Sequence, residues 1–567
     1  MSIKTRADAI AQFTAPGEAF ELVPGQVFGR PCVQFKNAPP TLRDLFEDSR
    51  SELPFIIYEE QRLTFEDAYQ LSAQFANILV RDYGIKKGDR VAISMRNYPE
   101  WIYAFMATTS IGGIAVAMNS LWQPDEMAYG LKDSGAKVLV ADAERLERFA
   151  QISDQDRPNI KTIAVRTTEY PDSPELLGLL LEQARTEGQL PMPEQSPEPE
   201  DDATLLYTSG STGYPKGVTS CHVNVISALM SWELDQKCGI ALLPEPPPEL
   251  EHQAATLLAV PLFHATGSHA VYLASYRHQR KLVSMYKWDA AKAAELIEAE
   301  KITSFIAPAA MTGDLVQEAQ RTQADLSSMI SVGGGGAPRA PEQVRNIEQS
   351  FAKALPGTGW GMTETNAIGT SIAGQDYLGR PESSGRCSAV MELKIIDENG
   401  APLGPGERGE LLIRGTSVFR GYWNRPDADA ETFLDEGWMR TGDVAYLDEE
   451  AFLFIVDRIK DLVIRGGENI GCGEVEAALL EHPKVSEASV YAVPDDRLGE
   501  EVGATIYGEE PVDEEELQGF LAERLARFKI PKHLQQTQDP LPRTASGKIF
   551  KRQLREDACK DLGIALS

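Results

Sequence analysis

Helical and extended periodicities alternate along the first part of the chain. Thr64 opens "TFED", whose Thr and Asp67 have capping-box spacing, and apolar positions then recur at helical spacing through Leu79. Residues 90–95 ("RVAISM") read as a strand, a helix is predicted from about Pro99, and another strand near Ile114. Residues 136–142 ("AKVLVAD") and 160–165 ("IKTIAV") are further apolar runs of buried-strand length. This alternation predicts a parallel α/β sheet. The most apolar long window, residues 101–118, is broken by Thr108, Thr109, Ser110, Gly112 and Gly113. It reads as a buried helix running into a strand, not as a membrane span.

Residues 191–202 ("PMPEQSPEPEDD") and 244–251 ("PEPPPELE") are too rich in proline and acid for a core and read as surface linkers. There is no internal repeat. The pattern changes near Asp457. Beyond it, a helix is predicted over 474–481, strands over 488–493 and 504–507, and an amphipathic helix from about Asp513. Leu517, Phe520, Leu521, Leu525 and Phe528 share one face of that last helix, with acids in its first turn and Arg524 and Arg527 near its end. The expected division is a large domain, 1–457, and a small α+β domain, 458–567.

A length of 567 residues implies at least two domains, and 42% hydrophobic with 25% charged residues is a globular composition. With 85 acidic against 55 basic residues the net charge is −30, which excludes a general affinity for nucleic acid or anionic membranes. An anionic ligand must therefore be held by a local site. No apolar export signal opens the chain, and the six cysteines lack metal-ligand spacing. Reduced thiols in a cytoplasmic protein are expected.

The clearest local site is residues 207–217, "YTSGSTGYPKG". Glycines let backbone N–H groups turn toward a phosphate, and the hydroxyls add donors. An apolar run, residues 203–207, leads in as a strand. Pro215 before Lys216 and Gly217 after it exclude a Walker A loop, whose lysine is followed by Ser/Thr at the start of a helix. A hairpin-like phosphate loop is expected; taken alone, the same composition also describes a plain polar turn.

More glycine-marked segments follow: "PLFHATG" (261–267, with His264), "SVGGGGAP" (331–338), "GWGMTET" (359–365), "RTGDVAYLD" (440–448, with Asp443), "VDRIKDLVIRGGEN" (456–469) and "PRTASGKIFKRQLRE" (542–556, with Lys548). Singly, each has an ordinary reading: a packed histidine, a core tryptophan, a turn aspartate, or one solvated basic helix holding Lys548, Lys551, Arg552 and Arg555.

Together, in order and spacing from about Thr64 to Arg555, these seven motifs resemble the adenylate-forming superfamily: acyl-CoA synthetases, adenylation domains of peptide synthetases, and luciferases. The resemblance implies an α/β fold, with a large N-terminal domain of parallel α/β subdomains and an associated β-barrel, plus a small mobile α+β C-terminal domain. It implies ATP, Mg²⁺ and coenzyme A as cofactor and co-substrates. Thr208, Ser209, Gly210, Ser211, Thr212, Gly213 and Lys216 would surround the β- and γ-phosphates. Gly335, Gly336, Ala337 and Pro338 would wall the adenine pocket. Trp360 stands where the family carries a stacking tyrosine or phenylalanine, followed by Gly361 and Met362. Thr363 would meet the α-phosphate, and Glu364 with Thr208 would ligate Mg²⁺. Asp443 would accept the ribose hydroxyls, with Ile455 and Arg458 beside it. Lys460 matches the hinge, Gly466, Gly467 and Glu468 the coenzyme A channel, and Lys548 the lysine bridging carboxylate and α-phosphate. Cys472 replaces the family's commoner proline, which weakens any claim of local rigidity there.

Amino-acid adenylation domains carry an aspartate where His264 stands, so the resemblance argues against an amino-acid substrate; an unpaired buried ammonium is costly. His264 resembles the gate residue of acyl- and aryl-CoA synthetases, and residues 118–142 resemble fatty-acyl members. A medium- or long-chain fatty acid is the expected substrate, with an aromatic or alicyclic acid left open. Coenzyme A is the expected acceptor, since the sequence ends about twenty residues after Lys548 without a carrier domain; a fatty-acyl-AMP ligase that hands its adenylate to a carrier protein is the rival reading. A homodimer is left open.

Overall fold

A computed structural model describes every residue except 1–2, 209–214, 246, 248, 336–340, 342–343, 345–346, 348–350, 352, 467, 545–547 and 565–567. The expected βα alternation is present. Thr64 caps the helix Phe65–Arg81 with both capping-box hydrogen bonds, and the apolar stripe of that helix is buried. The buried helix Pro99–Ser110 runs through a glycine turn into the strand Ile114–Ala117. Among the described residues no helix is long and apolar enough to cross a membrane.

Two sheets build the larger part of the molecule. In the first, Asp202–Thr208, Ile114–Ala117, Arg90–Ser94, Val138–Asp142 and Lys161–Val165 lie parallel in that spatial order. Lys216–Cys221 then adds antiparallel to Asp202–Thr208. The second sheet has six parallel strands, ordered Leu355–Thr358, Ser331–Gly333, Ser304–Ile306, Ala255–Leu258, Lys281–Ser284 and Pro54–Tyr58. It continues without a break into antiparallel strands, Thr370–Ala373, Gly385–Cys387, Phe452–Arg458, Met439–Leu447, Gly409–Gly415 and Met391–Ile396. These six antiparallel strands correspond to the expected β-barrel region.

The chain leaves that sheet at Arg458, turns over residues 459–462, and enters a separate five-stranded sheet at Val463–Arg465. This sheet and the helices Cys472–Leu480 and Glu514–Ala522 enclose their own apolar core around Val490, Val502, Leu479, Leu517 and Leu521. The amphipathic helix is shorter than its apolar pattern predicts. It ends at Ala522, and Phe528 lies in a separate 3₁₀ turn, Arg527–Lys529. Leu525 and Phe528 still reach the same core, so burial kept the pattern while the backbone stopped being helical. Residues 191–201 also differ from a free linker. Met192 is buried, and the carbonyls of Pro193 and Gln195 accept from Arg43, so the segment is strapped to the domain.

Candidate active site

In a parallel sheet, ligands bind beyond the carboxyl ends of the strands. Here those ends carry the expected chemistry. Ala255–Leu258 leads to His264, Ser331–Gly333 to Gly334 and Gly335, Leu355–Thr358 to Trp360, and Asp202–Thr208 to the phosphate-loop segment. Thr208, Lys216, His264, Gly335, Trp360, Gly361, Met362, Thr363, Glu364, Asp443, Ile455, Arg458, Lys460 and Lys548 all line one connected cleft of ≈ 3360 Å³. That volume exceeds the roughly 300–1,000 Å³ of a site for one small ligand, so the cleft has room for more than one reactant. Ser209, Gly210, Ser211, Thr212, Gly213, Gly336, Ala337, Pro338 and Gly467 lie outside the described residues. Gly466 and Glu468, expected at a coenzyme A channel, do not line the cleft in this arrangement; Glu468 opens the strand Glu468–Ile470, paired with Arg465.

The strands that flank the phosphate-loop segment pair antiparallel, with Thr208 opposite Lys216. The base of that segment is braced from three sides. The Tyr207 hydroxyl donates to Asp133 at 2.8 Å, Tyr129 donates to the Pro215 carbonyl at 3.0 Å, and the Trp423 N–H donates to the Gly217 carbonyl at 2.8 Å. Lys216 then reaches over the ring of Tyr422, its ammonium 5.0 Å from the ring centre. The hydroxyl of the same tyrosine donates to Glu364 Oε1 at 2.8 Å. Glu364 sits in the 3₁₀ turn Thr363–Thr365 and is buried, which raises its pKa against the opposing hydrogen bond of Tyr422.

Tyr422 was not singled out from the sequence. It lies 58 residues from Glu364, in a short strand with no motif of its own. Only the antiparallel pairing of Gly421–Tyr422 with Val218 and Thr219 brings it to the site. The available signal was an aromatic hydroxyl in "RGYWNRPD", which is a weak one.

His264 closes a turn on the Pro261 carbonyl, and the helical segment that follows passes so near that carbonyl that only glycine fits at position 267. A Cβ there would stand 2.1 Å from the Pro261 carbonyl oxygen. The residue is half-buried, and its imidazole Nε2 is shielded and has no protein partner. Burial and the nearby Lys548 charge lower its pKa to about 4, so it is neutral at ordinary pH. A buried neutral donor or acceptor without a partner, facing a cleft, is suited to a ligand atom.

Asp443 is buried. Its Oδ2 accepts from Trp360 Nε1 at 2.8 Å, and its Oδ1 lies 3.4 Å from Arg458 Nε. Desolvation raises its pKa against Arg458 and Trp360. The indole expected to stack on adenine is therefore also tethered by its edge, which a phenylalanine could not be.

Lys548 is held at the neck of a small hairpin, its carbonyl accepting from the Thr544 N–H at 2.7 Å. Its ammonium opens onto the cleft. Surrounding protein, and then Arg458, lower its pKa to about 8, with Asp443 opposing. The neighbouring basic residues do not share its role. Lys551 pairs with Glu476 at 3.0 Å and Arg552 with Glu556 at 2.7 Å, on the helix Lys551–Asp561.

The donor set fits the implied cofactors. Among the described residues no group of three or more His, Cys, Asp or Glu could hold a metal. A Mg²⁺ ion needs few protein ligands when phosphates and water supply the rest, and one buried carboxylate beside the phosphate-loop segment meets that need. At Gly359 and Gly361 a Cβ would stand 2.3 and 2.6 Å from the backbone of Thr370 and Ala367, so glycine is what lets the segment carrying Trp360 pack against them.

Residues 46–423 match the family model of AMP-binding enzymes, and residues 474–548 that of the AMP-binding enzyme C-terminal domain. The chain is 34% identical to 2-succinylbenzoate–CoA ligase of Bacillus velezensis, covering 88% of this chain and 94% of that protein. It is 31% identical to the long-chain-fatty-acid–CoA ligase FadD13 of Mycobacterium tuberculosis, over 87% and 93%. Its fold matches the o-succinylbenzoate CoA synthetase of Bacillus subtilis solved with ATP and magnesium ion, with a TM-score of 0.75 and 29% identity over 91% of this chain and 99% of that one. One of these family models spans more than half of the chain, and the chain belongs to the AMP-binding enzymes, among the adenylate-forming, AMP-producing acid–thiol ligases.

Proposed function

We propose that this ligase activates a medium- or long-chain fatty acid with ATP and transfers the acyl group to coenzyme A. The coarser chemistry, ATP-dependent ligation of an acyl or aryl acid to coenzyme A, is that of its relatives. The finer reading rests chiefly on the shape of the cleft. Trp232, Asp235, Gln236, Gly239 and Ile240 line it from one stripe of the helix His222–Ala241. Ser304 and Ile306, Ser331 and Gly333, and Leu355 and Gly357 line it from one face of three adjacent strands. The lining runs from the carboxyl ends of those strands, at Trp360, to exposed Ile330 and Leu355 at their amino ends. A Cβ on Gly239 would meet nothing within 4 Å. Such a groove, running the length of three strands, suits an extended chain.

In the first half-reaction Lys216, Thr208 and the loop backbone would hold the β- and γ-phosphates, and Asp443 the ribose. A carboxylate oxygen of the acid attacks the α-phosphorus. The bond to the bridging oxygen breaks, and pyrophosphate leaves with the electron pair. The Lys548 ammonium would offset the negative charge gathering between carboxylate and α-phosphate, with Thr363 beside it. Mg²⁺, when bound by Glu364 with Thr208, supplies phosphate charge neutralisation. In the second half-reaction the coenzyme A sulfur attacks the acyl carbonyl, the thiol proton passes to solvent, and AMP leaves. We take the large domain as 1–457, the small one as 458–567, and Lys460 as the hinge about which the small domain would turn to withdraw Lys548 and bring Gly466 and Glu468 to the thiol path. The relatives named here are coenzyme A ligases, which favours that acceptor over a carrier protein.

The test is an acid panel incubated with ATP, Mg²⁺ and coenzyme A, read by pyrophosphate release and mass spectrometry of the thioester. Selectivity for C8–C18 acids over benzoate-type acids supports the proposal. Selectivity for the aromatic acids overturns the chain reading while leaving the ligase chemistry intact. A bulky side chain in the groove, Gly239→Phe, should cut activity with long acids and spare short ones.

A further inference from the structure

We infer that Trp360 is a positioning residue for ribose recognition, its indole N–H fixing the Asp443 carboxylate in the orientation that accepts the nucleotide's two ribose hydroxyls. This rests on the reading of Asp443 as the ribose acceptor.

Asp443 is 5% exposed, so an ionised carboxylate there needs donors from the protein. It has two. Trp360 Nε1 is at 2.8 Å from Oδ2, and Arg458 Nε is at 3.4 Å from Oδ1. The two differ in what holds them. Arg458 has a half-exposed side chain and ends the last strand before the crossing between the two domains. Trp360 is fixed inside the large domain. Its backbone N–H donates to Thr370 Oγ1 at 3.1 Å, and its backbone carbonyl accepts from the Thr370 N–H at 2.9 Å. Its ring lies against Gly369, where even a Cβ would come within 2.6 Å of the indole. The ring also packs with Ile395, Leu411, Ala445 and Leu453. The indole cannot slide or flip without displacing that packing, so Oδ2 has a fixed donor and the carboxylate plane is set. One lone pair of each oxygen is left for a vicinal diol.

Burial alone raises the Asp443 pKa, and the indole bond opposes that shift. The same bond therefore both orients the acceptor and helps keep it ionised. Phenylalanine at this position would keep an aromatic face and lose both effects.

The test is equilibrium binding of ATP, 2′-deoxyATP and 3′-deoxyATP to the full-length protein, by calorimetry without acid or coenzyme A. Wild type should bind ATP more tightly than either deoxynucleotide. In Trp360→Phe, ATP affinity should fall about tenfold, the factor of one charge-assisted hydrogen bond, while the deoxynucleotides lose markedly less, so discrimination narrows. Replacing Trp360 with its benzothienyl isostere, which keeps the ring shape without the N–H, should give the same narrowing in a protein packed like wild type. Equal losses for all three nucleotides in both variants would assign Trp360 to stacking alone and overturn the inference. If wild type and Asp443→Asn both fail to discriminate ATP from its deoxy forms, the ribose reading of Asp443 itself fails.

Discussion

Charge at single residues decides the first half-reaction. Lys548→Ala should keep ATP binding and lose about 10²–10³ in adenylation rate, the scale of removing one transition-state donor; single-turnover pyrophosphate release measures it. The Lys548 pKa is lowered to about 8. Its ammonium is therefore present below pH 8 and lost above, and kcat/KM for the acid, which reports the free enzyme, should fall as pH rises through about 8. Lys548→Arg should abolish that limb. Tyr422→Phe removes the donor to Glu364 and should raise the Mg²⁺ concentration needed for ATP binding, with the acid site untouched. Lys548, Glu364, Asp443 and His264 were legible in the sequence because each sits in a short motif whose neighbours fix its backbone. The Trp360–Asp443 bond spans 83 residues and the Tyr422–Glu364 bond 58. Neither leaves a local trace, since each depends on how distant strands are registered.

At the scale of elements, the turns carry most of the function. Gly267→Ala would drive a methyl into the Pro261 carbonyl. It should cost about 1–3 kcal/mol, seen as a lower melting temperature, and displace His264. The small domain's first helix shows a second case. Gly471 caps it, and Cys472, its first residue, donates its N–H to the Asp457 carboxylate and its thiol to the Asp461 carbonyl. A proline there would suit the helix but cannot make the first bond. Cys472→Pro should therefore destabilise the junction by about 1–2 kcal/mol, and Cys472→Ala, which keeps the N–H, by less. The departure from proline read as a loss of rigidity in the sequence; in the folded chain it adds a tether between the domains' adjoining segments. The helices and strands themselves were legible because burial imposes their periods. The amphipathic helix after Asp513 shows where that reading stops. An apolar face shared by Leu517 and Phe528 reports burial against one core, and it holds whether or not the backbone between them stays helical.

The whole molecule presents one arrangement, with Lys548 in the cleft and Gly466 and Glu468 outside it. Under the proposed mechanism this arrangement would serve adenylate formation, and thiol transfer would use a second one. Lys460→Pro, which restricts the proposed hinge, should retain a first turnover of pyrophosphate release while thioester formation falls much further; rapid-quench assays with and without coenzyme A separate the two. That segments from Thr208 to Lys548 gather at one cleft was readable from the order of motifs. The groove along the helix His222–Ala241 was not, because its lining comes from four separate segments with no common pattern. The most direct measurement combines these claims: the purified protein is mixed with Mg²⁺-ATP and a dodecanoate-to-palmitate series, quenched before coenzyme A is added and again after, and the products are identified by mass. Acyl-adenylate in the first quench and acyl-CoA in the second, with the adenylate absent in Lys548→Ala, is the predicted result; an undiminished adenylate in that variant, or no adenylate from any acid in wild type, would contradict it.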